Sequence, residues 1–235
     1  MTVEEVMTQL ESWGNPQTKK VLMNHGAREP FYGVKVADLK KIVKKVKKDH
    51  ELAMALYETG NSDAMYLAAL ISDESKMTKS DLQKWAEGAY WYMISEYSVA
   101  WAAAESPYAE ELADEWIESE QENIASAGWA TWSNIVLLKP DDELDLDKLR
   151  RLMSRAEENI HDREDRVSYA KNNFILAVGG SVKALTKEAM AAGKRIGKVK
   201  VNMGETACKV PFIPQYLQKM ADKGKIGYKK KTVKC

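Results

Sequence analysis

The chain has 235 residues with 35 basic and 35 acidic side chains, so its formal net charge is zero. Its length allows a sizeable hydrophobic core, and no apolar run approaches the roughly 18 residues of a membrane span, which excludes a protein built on membrane-spanning helices. Acidic residues among the first twenty argue against a signal peptide, and two cysteines cannot form a disulfide framework. We therefore expect a cytoplasmic protein.

The charge is distributed unevenly along the chain. Residues 1–50 hold ten basic and six acidic side chains, residues 51–165 hold nine and twenty-six, and residues 166–235 hold sixteen and three. Basic surface attracts polyanions, so the last third predicts contact with nucleic acid. The alternative that these lysines only solvate helix surfaces stays open.

The first sixty residues predict a succession of short helices. Thr2 and Glu5 form a capping-box pattern ahead of apolar residues at helical spacing. Asn15 followed by Pro16 favours a second helix start. The apolar stripe within residues 36–46 predicts a third helix, whose other faces carry lysines.

Residues 61–193 continue as helices that are rich in tryptophan. Six of the seven tryptophans lie between Trp85 and Trp132. Pro107 indicates a break followed by a new helix, because proline suits the first helical turn. Helix pairs recur about every 40 residues, at 61–104, 105–144 and 145–193, a period typical of HEAT repeats.

The sequence changes character after Gly193. Val199, Val201 and Met203 alternate with polar residues, which predicts a short extended segment. A last short helix is predicted over 215–222. The lysine-rich tail that follows, residues 223–235, has the composition of a disordered terminus.

These patterns predict an all-α fold, a right-handed superhelix of HEAT-like or armadillo-type helical repeats. We expect one elongated domain with N-terminal helices (1–60), core repeats (61–193) and a basic C-terminal extension (194–235). We also expect a monomer that does not bind membranes.

Three segments carry a resemblance to a known family. They are W-I-E-S-E-Q-E-N-I-A-S-A-G-W (116–129), D-R-V-S-Y-A-K-N-N-F-I-L-A-V-G (165–179) and I-G-K-V-K-V-N-M-G-E-T-A-C-K-V-P (196–211). Together with the closing lysine-rich tail they resemble the DNA alkylation repair family, the AlkD-like proteins. The resemblance implies a superhelix whose concave face binds double-stranded DNA. It also implies excision of N-alkylated purines such as 3-methyladenine and 7-methylguanine, with no metal and no cofactor.

The resemblance also indicates where catalytic residues should stand. Active members use an aspartate, an arginine and a tryptophan, and an alignment without gaps puts Ala100, Trp132 and Phe174 at or near these positions. The carboxylate and the arginine are therefore missing. Because a carboxylate stabilises positive charge that develops on the sugar, Glu96 and Glu105 become the candidate catalytic acids.

Candidate DNA-binding residues have an aromatic, basic or amide side chain suited to bases or phosphates. They are Trp91, Trp101, Trp132, Arg166, Lys171, Asn172, Phe174, Lys194, Arg195, Lys198, Lys200, Lys209, Lys229, Lys230 and Lys231. Core packing remains the alternative for the aromatic residues. The three histidines and two cysteines show no metal-ligand spacing, so no metal site is predicted.

Three classes of function remain open. The first is recognition of alkylated or distorted duplex DNA, with base excision if a replacement acid exists. The second is binding of branched or damaged DNA without catalysis. The third is a helical-repeat scaffold for another protein, which the acidic middle of the chain would suit. A carboxylate in the groove separates the first class from the second, and a basic face that follows phosphates separates both from the third.

Overall fold

The computed structural model describes residues 1–163 and 165–234, and all regular structure within them is helical. Glu164 and Cys235, the last residue of the predicted tail, lie outside the described residues. The described α-helices are α1 (Val3–Trp13), α2 (Pro16–Asn24), α3 (Val36–Val46), α4 (His50–Glu58), α5 (Ser62–Ile71), α6 (Lys79–Gly88), α7 (Ala100–Ala104), α8 (Ala109–Trp116), α9 (Glu122–Leu138), α10 (Leu146–Glu158), α11 (Arg166–Ser181), α12 (Thr186–Ile196) and α13 (Ile213–Asp222). A π-helix, Met93–Val99, leads directly into α7.

The predicted helix starts at the N-terminus are confirmed. The Thr2 hydroxyl accepts from the Glu5 N–H at 3.2 Å while the Glu5 carboxylate accepts from the Thr2 N–H at 3.0 Å, which completes the capping box. The Asn15 side chain accepts from the Thr18 N–H at 2.8 Å. These side chains satisfy N–H groups that have no partner within the helix.

The helices form two layers. The inner layer consists of α5, the π-helix with α7, α9 and α11, and the outer layer of α4, α6, α8 and α10. All ten residues of α5 are buried, as expected for a helix covered on every side. Because α4 packs against α5, the first helix pair begins at His50, before the predicted start at residue 61.

Close packing within a pair requires a small residue. A Cβ atom on Gly128 of α9 would lie 2.7 Å from the Ile117 nitrogen just beyond α8. Contacts this short do not occur between real Cβ atoms and backbone, so glycine allows α8 and α9 to pack closely. These two helices contain Trp116 and Trp129, and both tryptophans are buried.

The inner helices begin at one edge of their layer and end at the other. The tail, residues 223–234, runs along the edge where they end, which we call the carboxy-terminal edge. The Gly227 N–H donates to the Gly180 carbonyl at the end of α11, and the Lys230 N–H donates to the Leu137 carbonyl at the end of α9. The prediction of a disordered tail is therefore wrong for its described part.

Cations of the tail bind the carbonyl ends of these helices. The Lys229 ammonium donates to the Val136 carbonyl at 2.9 Å, and the Lys234 ammonium donates to the Ser72 carbonyl at 3.1 Å. Helix ends expose unpaired carbonyls with partial negative charge, which cations stabilise. Val233 between these lysines is only 5% exposed. Neither charge nor apolar content alone predicts this arrangement, because the partners are distant in sequence.

Candidate nucleic-acid interface

The opposite edge of the inner layer, which we call the amino-terminal edge, contains a cavity of about 570 Å³. The inner helices contribute their starts to this edge cavity. Its lining includes Tyr90–Tyr92 at the start of the π-helix, Gln121–Asn123 at the start of α9, and Arg166 at the start of α11. Its lining also includes His25–Gly26 after α2 and Asn202–Gly204 in the loop 197–212.

The start of α9 makes this edge favourable for anions, whereas the first N–H groups of α11 already donate to Asp165 and Glu122. The first turns of a helix present unpaired N–H groups with partial positive charge, and phosphates bind at such positions. At α9 the Gln121 side chain makes no capping hydrogen bond. The two edges therefore differ: the start of α9 has no side-chain cap, whereas at the other edge Lys229 and Lys234 of the tail bond to helix carbonyls.

Arg166 and Glu96 form a buried ion pair at the edge cavity. The arginine Nε and Nη2 atoms donate to the two carboxylate oxygens at 2.6 and 2.5 Å. The guanidinium lies between the rings of Tyr92 and Tyr169, 4.1 and 4.0 Å from their centroids. Two hydrogen bonds and two cation–π contacts fix the arginine in one orientation.

Burial and the charge of Arg166 have opposite effects on the pKa of Glu96. Burial raises the pKa of Glu96, and the charge and hydrogen bonds of Arg166 oppose that rise. Burial acts to lower the pKa of Arg166, but the Glu96 carboxylate outweighs it and the pKa is raised. The carboxylate that was predicted as a catalytic acid is thus bound to its own cation.

The second candidate acid, Glu105, lies at the carboxy-terminal edge. Its carboxylate accepts from the Thr232 hydroxyl at 2.5 Å and from the Val233 N–H at 2.9 Å. It holds the tail in place and does not line the edge cavity. The prediction that Glu105 replaces a catalytic aspartate is therefore wrong, because the fold turns its position away from the cavity.

Three of the four predicted DNA-binding aromatic residues belong to the core. Trp101, Trp132 and Phe174 are 5%, 1% and 0% exposed. Trp101 contacts Tyr66 and Tyr97 edge-on, and Phe174 packs against Trp129. Their assignment to DNA is corrected, because covered rings cannot stack on a base.

Trp91 is the exception among these aromatic residues. It lines the edge cavity and its indole N–H donates to the Ser62 hydroxyl at 2.7 Å. It is 8% exposed, so it supports the cavity wall and offers little of its own ring.

Lys171 and Asn172 join elements of the fold. The Lys171 ammonium donates to the Asn159 side-chain oxygen at 2.6 Å, and burial lowers the pKa of this lysine. The Asn172 amide donates to the Pro211 carbonyl at 3.0 Å, which attaches the end of the loop 197–212 to α11. Both side chains are at most 8% exposed, so their predicted contact with DNA is also corrected.

The remaining predicted cations divide into paired and unpaired groups. Arg195 pairs with Glu157 at 2.5 Å and Lys229 pairs with Asp141 at 2.8 Å. Six others are exposed and bond to no acid within residues 1–163 and 165–234: Lys194, Lys198, Lys200, Lys209, Lys230 and Lys231. Three of these six, Lys198, Lys200 and Lys209, lie on the loop that walls the edge cavity.

The loop 197–212 presents its lysines to solvent through an alternating pattern. Val199 is buried while Lys198 and Lys200 on either side of it are exposed, as the sequence predicts. No strand pairs with the loop in the part of the chain that the structure describes. The loop therefore carries unpaired positive charge on both sides, in sequence, of the residues that line the edge cavity.

Sequence analysis missed several residues of the site. Tyr92, Tyr169 and Arg28 were not singled out, although Arg166 and Tyr169 stand three positions apart, a spacing that puts side chains on one helix face. The Arg28 guanidinium donates to the Tyr90 carbonyl at 2.7 Å and lines the cavity. The π-helix beside them is a geometry common at functional sites, and composition gives no sign of it.

Comparison with known proteins identifies the family. Residues 6–209 match the family described as DNA alkylation repair enzyme. The chain belongs to the DNA alkylation repair family. Two relatives are uncharacterized proteins of Listeria: Lmo0209 of Listeria monocytogenes, 35% identical over 96% of this chain and 100% of its own, and Lin0241 of Listeria innocua, 35% identical over 93% of this chain and 97% of its own.

One solved structure is similar to this chain over its whole length. It is described as a new family of proteins related to the HEAT-like repeat DNA glycosylases with affinity for branched DNA structures, and it matches with a TM-score of 0.92, 37% identity and complete coverage of both chains. The predicted all-α HEAT-like fold is thereby confirmed for this member of the DNA alkylation repair family.

Two further observations concern other kinds of site. Among the described residues, no helix of this family member combines the length and apolarity needed to cross a bilayer. The same residues contain no group of three or more His, Cys, Asp or Glu side chains placed to hold a metal ion.

Proposed function

We propose that this protein binds branched or distorted duplex DNA at its amino-terminal edge and does not excise bases. The observation that carries the proposal is the position of Lys198, Lys200 and Lys209. They are exposed, bond to no acid among the described residues, and lie on the loop whose residues Asn202–Gly204 line the edge cavity. Unpaired lysines favour contact with phosphates.

The buried ion pair argues against base excision. A glycosylase needs a carboxylate that faces the sugar and stabilises its developing positive charge. Glu96 instead uses both oxygens to bind Arg166. Releasing it would break a buried pair, which costs about 3–5 kcal/mol. The carboxylate that catalysis would use is therefore neutralised by Arg166.

The preference for branched DNA is supported by a similar protein. The solved structure that covers the whole chain belongs to proteins with affinity for branched DNA structures. Branch points bring phosphates of several strands together and bend easily, which suits a curved basic edge. Excision of N-alkylated purines and protein scaffolding are the competing functions.

The test compares DNA substrates in a gel-shift experiment. A four-way junction and a linear duplex of the same arm sequence are titrated with the purified protein at several salt concentrations, and a duplex containing 7-methylguanine is incubated in parallel to measure base release. We expect tighter binding to the junction than to the duplex, a steep salt dependence, and no base release. Equal weak binding to both, independent of salt, would support the scaffold instead.

A further inference from the structure

We propose that the edge cavity receives one unpaired nucleotide of the bound DNA, and that this nucleotide carries a base with an exocyclic amino group. The inference rests on the proposed DNA binding and names the ligand of the same site. The cavity volume of about 570 Å³ falls within the range of about 300–1,000 Å³ typical of sites for one small molecule. A double helix is far too large for it.

The loop 197–212 closes the cavity against the N-terminal helices. The Glu205 N–H donates to the Asn24 carbonyl at the end of α2, at 3.0 Å. Gly204 beside it has a φ of +67°, and a Cβ at this position would lie 2.3 Å from the same carbonyl oxygen. Only glycine permits this approach. The closed loop leaves room for a single nucleotide and keeps the paired strands outside.

Polar groups without a partner line the cavity. The Gln121 side chain is exposed and makes no capping hydrogen bond. The Asn123 amide donates to the Ala86 carbonyl, which leaves its oxygen available, and the Asn202 oxygen accepts from the Gly204 N–H, which leaves its amide N–H groups available. Side-chain amides of this kind read the edge of an extruded base.

The charge of the cavity selects a base over a phosphate. Two acids line it, each with one carboxylate oxygen already bonded: Glu87 accepts from the Gln83 amide and Glu122 from the Arg166 N–H. The charge of Arg166 is neutralised by Glu96 behind it. Arg28 is the remaining cation in the lining. Carboxylates repel phosphates but accept hydrogen bonds from the amino groups of bases. The phosphates on either side of the captured nucleotide meet the lysines of the loop.

The wall of the cavity also offers aromatic surface. Tyr90 and Tyr92 line it and are each partly exposed. One face of Tyr92 is covered by the Arg166 guanidinium, so the base would contact the rest of this aromatic wall. Contact between a base and an aromatic ring strengthens single-strand binding by about tenfold or more.

The test uses a three-way junction with one unpaired 2-aminopurine, a fluorescent base with an amino group, at the branch point. The matched DNA has an abasic site at that position, which keeps the flexibility and removes the base. We expect the wild-type protein to bind the aminopurine junction about tenfold more tightly than the abasic one, the lower end of base–aromatic stacking. We also expect bound aminopurine to be shielded from quenching by acrylamide.

A paired set of variants locates the effect. Gln121→Trp fills the cavity from an exposed position, and Glu120→Trp adds the same ring one residue earlier, outside the lining. Gln121→Trp should lose the tenfold preference and the shielding while it still binds a fully paired junction; Glu120→Trp should keep all three.

The outcomes separate this inference from the proposed function. Equal affinity of the wild type for the aminopurine and abasic junctions, with the base open to acrylamide, would overturn the inference and leave DNA binding intact. Retained preference in Gln121→Trp would also overturn it. Absence of binding to every junction would instead overturn the proposed function.

Discussion

Lysines at the two edges of the inner helical layer differ in their bonding partners. At the carboxy-terminal edge, Lys229 and Lys234 bind helix carbonyls and buried or partly buried acids. At the amino-terminal edge, Lys198 and Lys200 have no such partner among the described residues and face solvent. Both segments are lysine-rich, so composition does not separate them. The difference comes from the helix ends that each segment meets.

Each edge also contains one buried glutamate with a cation. At the amino-terminal edge Glu96 has Arg166 alone, bound through two hydrogen bonds. At the carboxy-terminal edge Glu74 has Lys234 and also Lys48, whose ammonium lies 3.4 Å away. The Ser72 hydroxyl donates to Glu74 as well, at 2.8 Å. Loss of one cation should therefore lower the free energy of unfolding more at the amino-terminal edge than at the carboxy-terminal edge.

The largest effect is expected from Arg166→Met. It leaves Glu96 buried without its cation, so the free energy of unfolding should fall by about 3–5 kcal/mol. Urea denaturation measures it. The double variant Glu96→Met with Arg166→Met removes both charges and should recover part of the loss. A loss below about 1 kcal/mol in Arg166→Met would show that the pair is not tightly coupled.

A smaller loss is expected from Lys234→Met at the carboxy-terminal edge. Glu74 keeps Lys48 and the Ser72 hydroxyl, so the free energy of unfolding should fall by about 1–3 kcal/mol, the cost of a partly unsatisfied buried group. The matched control is Lys231→Met, an exposed tail lysine that should stay within about 0.5 kcal/mol of wild type. If both variants behave alike, the tail does not stabilise the fold through Lys234.

The smallest effect concerns Tyr97, whose ring is about a third exposed beside the Glu96–Arg166 pair. Burial, with smaller contributions from Tyr169 and Glu96, raises the pKa of Tyr97 to about 12. The folded state then holds the phenol proton more tightly than the unfolded state, whose pKa is about 10. This stabilisation is complete below pH 10 and is lost as pH rises towards 12.

Absorbance at 295 nm follows the ionisation of Tyr97. The wild-type protein should show one more phenol titrating near pH 12 than Tyr97→Phe does, and the decline in stability above pH 10 should be shallower in that variant. A difference spectrum centred near pH 10 would mean that Tyr97 is solvated like a free tyrosine.

The helices could be predicted from sequence because their signals are local. Thr2, Asn15 and Asp165 each cap a helix through a side chain bonded two or three residues away, and apolar stripes mark the buried faces. The site could not be predicted in the same way. Glu96 and Arg166 are 70 positions apart, and Lys234 bonds to a carbonyl 162 positions earlier.

Trp101, Trp132, Phe174 and Lys171 were predicted on a binding surface but are buried, for one physical reason. The residue type alone does not show whether a tryptophan or a lysine lies in the core, in an ion pair or on a binding surface. The environment of the side chain depends on how the helices pack. Trp132 is covered by the core while Lys200 is exposed. The alternation around Val199, which predicts an extended segment, also separates the buried valine from the exposed lysines on either side.

The most direct test of the account compares the two lysine-rich segments in DNA binding. One variant replaces Lys198, Lys200 and Lys209 of the loop with glutamine, and the other replaces Lys225, Lys230 and Lys231 of the tail, which are equally exposed. Each phosphate contact contributes about 0.9 to the slope of log affinity against log salt for a duplex arm. We expect the loop variant to lower the slope for a four-way junction by up to about 2.7, and the tail variant to leave it nearly unchanged. An equal fall in both variants, or a larger one in the tail variant, would contradict the assignment of DNA binding to the amino-terminal edge.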